Sequence, residues 1–277
     1  MKKTIKENYY EIAVSDFDGT LFSQVTGINR NTLESIDEFI KAGGTFCVCT
    51  GRMTSSIVKF YKEYGFTGYV ISFNGAEISD SETGEKVYKK HVDNAACIKL
   101  LEYAEKTGNR IQVYPNDVLT VEKVNDDYRA YAGRCHVELC ETGCPVSEVF
   151  KKTGDTSGKV LFYTDDDRRE KMYKEIRDIA GDSYEVVCSN PEHIDVMAKG
   201  VSKGNAALKL CEMLGTDREK MICFGDEMND LSMIEIAGLG VATANGNEFL
   251  KSKADLVVPS CEDGGVGIAI KKYCIHR

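Results

Sequence analysis

The sequence predicts an α/β protein, a doubly wound parallel-sheet core interrupted by an inserted α+β domain. Three observations carry this expectation. The short apolar runs EIAVS, TFCVC and YVISF each end in a polar turn and are separated by stretches with helical spacing, as buried parallel strands alternating with helices do. The alternation breaks near residue 84 and resumes past residue 192, where the strand-like run KMICF follows a helical stretch. With 277 residues, the chain has room for one large domain or two modest ones.

Taken in order, EIAVS ends at Asp16 and the turn FDGTL follows at once. From Asn31 to Ala42, Leu33, Ile36 and Ile40 recur at helical spacing, and Gly43 and Gly44 supply a stop. TFCVC ends at Thr50, and a helical stretch from about Ser55 to Tyr64 leads to YVISF, which ends at Asn74. AEISD, the turn SETGE and KVYKK read as a hairpin. Beyond it, Cys97, Leu100, Leu101 and Ala104 mark one helical face, RIQVY, VLTVE and KVLFY read as strands, and Met172, Ile176 and Ile179 mark a second amphipathic helix. After HIDVM, Ala207, Leu210, Cys211 and Leu214 line a helix, KMICF is a strand and LSMIEIA opens another helix. The simplest topology is a discontinuous, Rossmann-like core of residues 1–83 and 192–277 with a cap of residues 84–191.

Composition narrows the function. A formal charge of −9 and a pI near 5.1 repel nucleic acid, so an anionic substrate needs local positive charge from a metal or from placed Lys and Arg. The opening MKKTIKENYYEIAVSDF has no continuous apolar segment of signal-peptide type, and no run approaches the roughly 18 apolar residues of a membrane span. The expectation is a cytoplasmic protein with no membrane partner, a monomer or small homo-oligomer. The eleven cysteines are odd in number, and Cys47, Cys49 and Cys223 sit inside apolar runs, as reduced, buried thiols do. Cys135, His136, Cys140 and Cys144 contain no CxxC pair, and CHVEL alternates like a strand, so the spacing argues against a zinc site there.

Three polar clusters stand at the carboxyl ends of expected core strands: Asp16 with Asp18, Thr50 with Gly51 and Arg52, and Asp226 with Asn229 and Asp230. Any one of them reads equally well as ordinary loop capping. Three on one sheet edge converge on the place where open α/β sheets bind ligands. Asp16 is the candidate nucleophile, able to form an acyl phosphate, and Asp18 the candidate acid and base for leaving group and water. The Thr50 hydroxyl and the Gly51 amide suit phosphate oxygens. Lys203 opens a helix, a placement that opposes the helix dipole unless it faces a bound anion. Asp16 and Asp226 offer the hard oxygen donors that magnesium prefers, and Asp230 suits an outer role, ordering Lys203 or a water.

The motifs DFDGTL, TGR, the lysine of VSKG, and GDEMND, in that order, resemble the four motifs of haloacid dehalogenase phosphatases. FNGAEI, GVSKGNAALKL and ADLVVPSCEDGGVGIAI are similar to the Cof-type branch (subfamily IIB), whose members carry a large α+β cap between the second and third motifs. The resemblance implies Asp16 as nucleophile, Asp18 as acid/base and, through its backbone carbonyl, a ligand of Mg2+, and Asp226 as the second carboxylate ligand. Thr50 and Lys203 then hold the phosphoryl group, with the Gly51 amide and Asn229 assisting. Arg52 and Asn74 match positions facing the active-site mouth and are possible substrate contacts. The implied function is magnesium-dependent hydrolysis of a small phosphorylated metabolite (a sugar phosphate, pyridoxal phosphate or an FMN-like ester) through an aspartyl-phosphate, with the cap setting substrate specificity. A phosphohexomutase-like phosphotransferase and a non-catalytic metabolite-binding or regulatory protein are the alternatives. One departure is visible: where relatives commonly read VAMGNA, this chain has VATANGNEF, so the loop near the site is expected to differ in shape.

Overall fold

The computed structural model describes residues 5–7, 9–190 and 192–275; the expected domain ends at 1, 191 and 277 lie outside the described residues. The chain divides into two units, one of residues 1–51, 57–87 and 202–277, the other of residues 52–56 and 88–201.

The first unit is built on an eight-stranded sheet. Its order is Leu256–Val258, Leu239–Thr243, Met221–Gly225, Ile12–Ser15, Thr45–Cys49, Tyr69–Ser72, Glu77–Asp80 and Lys86–Lys89. The first six of these pair in parallel, and Glu77–Asp80 returns antiparallel beside Tyr69–Ser72. Every residue of Ile12–Ser15, Met221–Gly225 and Leu239–Thr243 is buried, which is why these segments read as unbroken apolar runs and not as alternating ones. The order reverses at the first strand. From Ile12–Ser15 the chain builds outward through Thr45–Cys49 and Tyr69–Ser72 on one side, and later through Met221–Gly225 and Leu239–Thr243 on the other. That switch point lies between Ile12–Ser15 and Met221–Gly225. The helices Arg30–Lys41 and Gly265–Tyr273 pack together on one face. Gly267 permits their close approach, because a Cβ there would stand 2.5 Å from Thr32 Cα. The expected hairpin forms, and its second strand Lys86–Lys89 is the edge of this main sheet.

The second unit carries a four-stranded antiparallel sheet in the order Tyr184–Asn190, His193–Ala198, Val160–Tyr163, Ile111–Gln112. Cys97, Leu100, Leu101 and Ala104 of the helix Asn94–Thr107 and Met172 and Ile176 of the helix Asp166–Ala180 share a core with Val160, Phe162, Ile194 and Val196. The mixture is the α+β layout expected of the insert. Its limits differ from 84–191. The segment HIDVM lies between two antiparallel partners inside this sheet, so the unit extends to Val201; a buried strand is equally apolar in either kind of sheet, so the run itself held no sign of this. CHVEL is a second correction: Cys135 closes the helix Asp126–Cys135, His136 is its left-handed cap (φ 53°), and the strand starts only at Leu139.

Within the second unit, the Asp117 carboxylate accepts hydrogen bonds from the backbone N–H groups of Thr54 (3.1 Å) and Ser55 (2.6 Å), the first residues of the helix Thr54–Tyr64. Among the described residues, no helix is long and apolar enough to cross a membrane.

Candidate active site

Asp16 directly follows Ile12–Ser15 and Asp226 directly follows Met221–Gly225, the two parallel strands that flank the switch point. Asp16 N–H donates to the Phe224 carbonyl at 2.9 Å, which sets the two strand ends at the same level. One ligand oxygen from each of Asp16, Asp226 and Asp230 lies within 4.8 Å of the others. This is the only group of three or more metal-ligating side chains so placed among the described residues, and Cys135, His136, Cys140 and Cys144 form none.

Lys203 answers these charges. It begins the helix Lys203–Leu214, whose first turn is capped by the Ser202 hydroxyl accepting from Asn205 N–H. Its side chain is fully buried, and Nζ donates to Asp16 Oδ1 and, at 2.5 Å, to Asp230 Oδ1. Burial works against the ammonium, but Asp16 and Asp230 outweigh it and hold its pKa above the ordinary lysine value. Asp230 Oδ2 accepts the backbone N–H groups of Asp226 (2.9 Å) and Glu227 (3.0 Å). Asp230 therefore spends both oxygens on protein donors, fixing the lysine and the loop that carries Asp226. Gly225 leaves room for it, since a Cβ there would fall 2.4 Å from Asp230 Cβ.

Burial pushes Asp16 well above the usual carboxylate range, with Lys203 opposing and Asp230 and Asp226 adding to the shift. Asp226 is pushed up to about 6, again mainly by burial, against the hydrogen bond from Thr20 and with the charge of Asp230. Three carboxylates facing one ammonium leave an excess of negative charge in a buried place. Hard oxygen donors with uncompensated charge fit a divalent cation, and Asp16 and Asp226 are the side chains with oxygens to offer it.

Asp18 lies on the turn two residues after Asp16, partly exposed, and accepts from Gln24 Nε2 at 3.2 Å. Thr50 is buried at the end of Thr45–Cys49, and its carbonyl accepts from Asn74 N–H at 2.9 Å. Gly51 lies so close to Asn74 that a Cβ would meet its Oδ1 at 3.0 Å. Asn229 Nδ2 donates to Asn74 Oδ1 at 3.2 Å. The structure thus brings Asp16, Asp226, Asp230 and Lys203 into one cluster and ties Thr50, Gly51, Asn74 and Asn229 together beside each other. Arg52 is buried in the segment 52–56, with Nη1 3.5 Å from Ser56 Oγ.

Sequence reasoning passed over two residues. Thr20 donates its hydroxyl to Asp226 Oδ1 at 2.6 Å; its only signal was its place inside DFDGTL. Asn245, in the divergent VATANGNEF loop, donates to the Gly19 carbonyl at 2.8 Å and accepts from Cys261 N–H. In the same loop Asn247 N–H donates to the Asp226 carbonyl at 2.7 Å, so this segment braces both aspartate turns despite its unusual spelling.

An acidic pair at the switch point of a doubly wound sheet, with a buried lysine between the nucleophile candidate and an anchoring carboxylate, is an arrangement suited to chemistry on an anionic group at the ligand-binding edge of an α/β sheet. Residues 13–270 match the haloacid dehalogenase-like hydrolases, and the chain belongs to that family. It is 28% identical to the Bacillus subtilis protein YitU, a 5-amino-6-(5-phospho-D-ribitylamino)uracil phosphatase, over 95% of this chain and 97% of that one. It is also 28% identical to YcsE of the same organism, which bears the same activity name, over 94% of each. A haloacid dehalogenase-like hydrolase from Bacteroides thetaiotaomicron superposes with a TM-score of 0.86 at 28% identity, covering 95% of this chain and 98% of that one. The chain is an enzyme of the phosphatase kind within this family.

Proposed function

We propose that the protein is a magnesium-dependent phosphatase that hydrolyses a small phosphorylated metabolite through an aspartyl-phosphate on Asp16. The observation that carries this reading is the placement of Lys203 Nζ between Asp16 and Asp230 with Asp226 at the adjacent strand end. An Asp16 oxygen attacks phosphorus, the bond to the leaving oxygen breaks, and Asp18 delivers a proton to that oxygen. In the second half, Asp18 takes a proton from the attacking water, the acyl phosphate opens, and inorganic phosphate leaves with Asp16 restored. The Thr50 hydroxyl, the Gly51 N–H, the Lys203 ammonium and Asn229 hold the phosphoryl oxygens and offset their charge. When bound by Asp16, the Asp18 carbonyl and Asp226, magnesium supplies further positive charge at the phosphoryl group.

The charge balance and the relatives support a small phosphate ester as the substrate class. A net acidic chain whose site offers one buried ammonium, Lys203, and carboxylates able to hold a divalent cation suits a compact phosphate ester and not a polyanion. The named activity of YitU and YcsE adds a phosphorylated ribityl compound to the sugar phosphates, pyridoxal phosphate and FMN-like esters already expected. All eleven cysteines are free thiols, consistent with a reducing, cytoplasmic setting. Phosphate release from a panel of these esters, each with magnesium and with chelator, tests the reading. It expects turnover of at least one ester with the metal; equal turnover in chelator would remove the metal from the assignment.

A further inference from the structure

We propose that Asn74 is a positioning residue of the phosphoryl-transfer site, acting through Asn229 and the Gly51 backbone and not by touching substrate; this rests on the phosphatase reading above. The backbone supplies the first argument. Phe73, Asn74 and Gly75 run consecutively through the left-handed region, with φ of 50°, 55° and 104°. A phenylalanine there is costly, and such strain persists only where the surroundings impose it, most often at functional sites. What imposes it is contact with three separate pieces of the site. The Asn74 N–H donates to the Thr50 carbonyl at 2.9 Å. Gly75 lies against the residue before Lys203, so closely that a Cβ would stand 2.3 Å from the Ser202 carbonyl oxygen. The Asn74 carboxamide accepts from Asn229 Nδ2 at 3.2 Å and occupies the space where a side chain on residue 51 would be.

The chemistry of a carboxamide makes the link to Asn229 specific. An unrestrained asparagine can flip and present either an oxygen or an N–H group at a given point. Fixing one Asn229 N–H on Asn74 Oδ1 decides which atom is which, and so leaves the second N–H available as a donor for a phosphoryl oxygen. An oxygen presented there would repel the same group. Asn229 is exposed while Asn74 is buried, so the restraint runs from Asn74 to Asn229.

The test is a double-mutant cycle on 4-nitrophenyl phosphate with magnesium. Asn74→Gly keeps the left-handed backbone and removes only the carboxamide. It is expected to lower kcat about ten-fold with KM within about two-fold, and to cost less than about two-fold when Asn229→Ala is already present. An equal loss in both backgrounds, or a wild-type kcat for Asn74→Gly, overturns the proposal. Asn74→Asp, which retains both the acceptor oxygen and tolerance of left-handed backbone, is the second variant, and the one that decides if the glycine variant does not fold. Asn229→Ala should cost as much in it as in the wild type, and a lost dependence there is contrary to the proposal. Assaying Asp16→Asn in parallel separates the two levels: an inactive Asp16→Asn with an additive cycle removes only Asn74's role, whereas an active Asp16→Asn removes the reading of the site and Asn74's role with it.

Discussion

Lys203 Nζ lies 2.5 Å from Asp230 Oδ1, while the other Asp230 oxygen holds the N–H groups of Asp226 and Glu227. One carboxylate therefore positions the cation that faces Asp16 and the loop that presents Asp226. Asp230→Asn cannot reproduce this, because one of its two atoms becomes a donor and must face either an ammonium or a pair of N–H groups. We expect kcat to fall by about 100-fold and stability by about 1–3 kcal/mol, read from phosphate-release kinetics and urea unfolding. A wild-type kcat in that variant would show that Lys203 does not need Asp230.

The acidic cluster is expected to make the metal-free enzyme more stable as pH falls. Asp226 moves from 3.8 to about 6 in the fold, so its ionised form opposes folding by roughly 3 kcal/mol above that range. The sign follows from proton counts: between these values the folded protein holds a proton that the unfolded chain has lost, so acidification favours the fold. In chelator, Tm should rise between pH 7.5 and 5.5. Magnesium should raise Tm at pH 7.5 and do so less at pH 5.5, where protons compete for the same carboxylate. Asp226→Asn should be inactive yet more stable than the wild type in chelator. A flat or falling Tm in chelator would contradict the charge balance drawn for this cluster.

The placement of Asp16, Thr50, Lys203 and Asp226 was legible because each stands where a largely buried strand or a helix start meets a polar turn, and strand ends are fixed by local apolar runs. The legible part ended where position depends on contacts remote in sequence. Nothing around Thr20 distinguishes a turn hydroxyl from a donor to a carboxylate 206 residues away. The boundary near residue 192 was misplaced because His193–Ala198 is buried throughout, in an antiparallel sheet, and reads like a parallel core strand. CHVEL failed as a strand for a local reason: His136 adopts a left-handed cap, a role in which its side chain leaves no periodic trace.

Asp117 is expected to matter for stability through the helix Thr54–Tyr64. The sequence before this helix, TGRM, places methionine where a capping side chain normally stands, and Asp117 accepts from the Thr54 and Ser55 N–H groups instead. Asp117 itself has φ 63°, so Asp117→Gly removes the acceptor without backbone strain. It should lower unfolding stability by about 1–2 kcal/mol, while Asp117→Asn, still an acceptor, should lose only a few tenths. Equal urea midpoints for the two variants would show that the carboxylate does not act as a cap.

Calcium should inhibit. It accepts more ligands at longer distances than magnesium, so both Asp16 oxygens would be drawn into its coordination and neither would be free to attack. Excess calcium added to a magnesium-supported assay should suppress turnover, and more magnesium should restore it. Activation by calcium to the magnesium level would mean that the attacking oxygen does not come from Asp16.

The nucleophile itself is tested by comparing Asp16 with Asp18. Asp16→Asn keeps the size of the side chain and its contact with Lys203 but removes the attacking anion, so turnover should fall by several orders of magnitude while the fold remains. Asp18→Asn retains the nucleophile and loses the proton carrier. Its defect should be smaller for 4-nitrophenyl phosphate, whose leaving group needs no acid, than for an alkyl phosphate, at least in the first step. The second step still requires a base to activate water, so Asp18→Asn should accumulate phosphoenzyme, visible by mass spectrometry as one phosphoryl group on the peptide containing Asp16. Direct attack by water makes the opposite forecast: no phosphoenzyme in any variant, and an Asp18→Asn defect of the same size in a single turnover as in steady state. A phosphoryl group trapped on a residue other than Asp16 would transfer the nucleophile's role to that residue, and leave the Lys203–Asp16 contact as charge compensation alone.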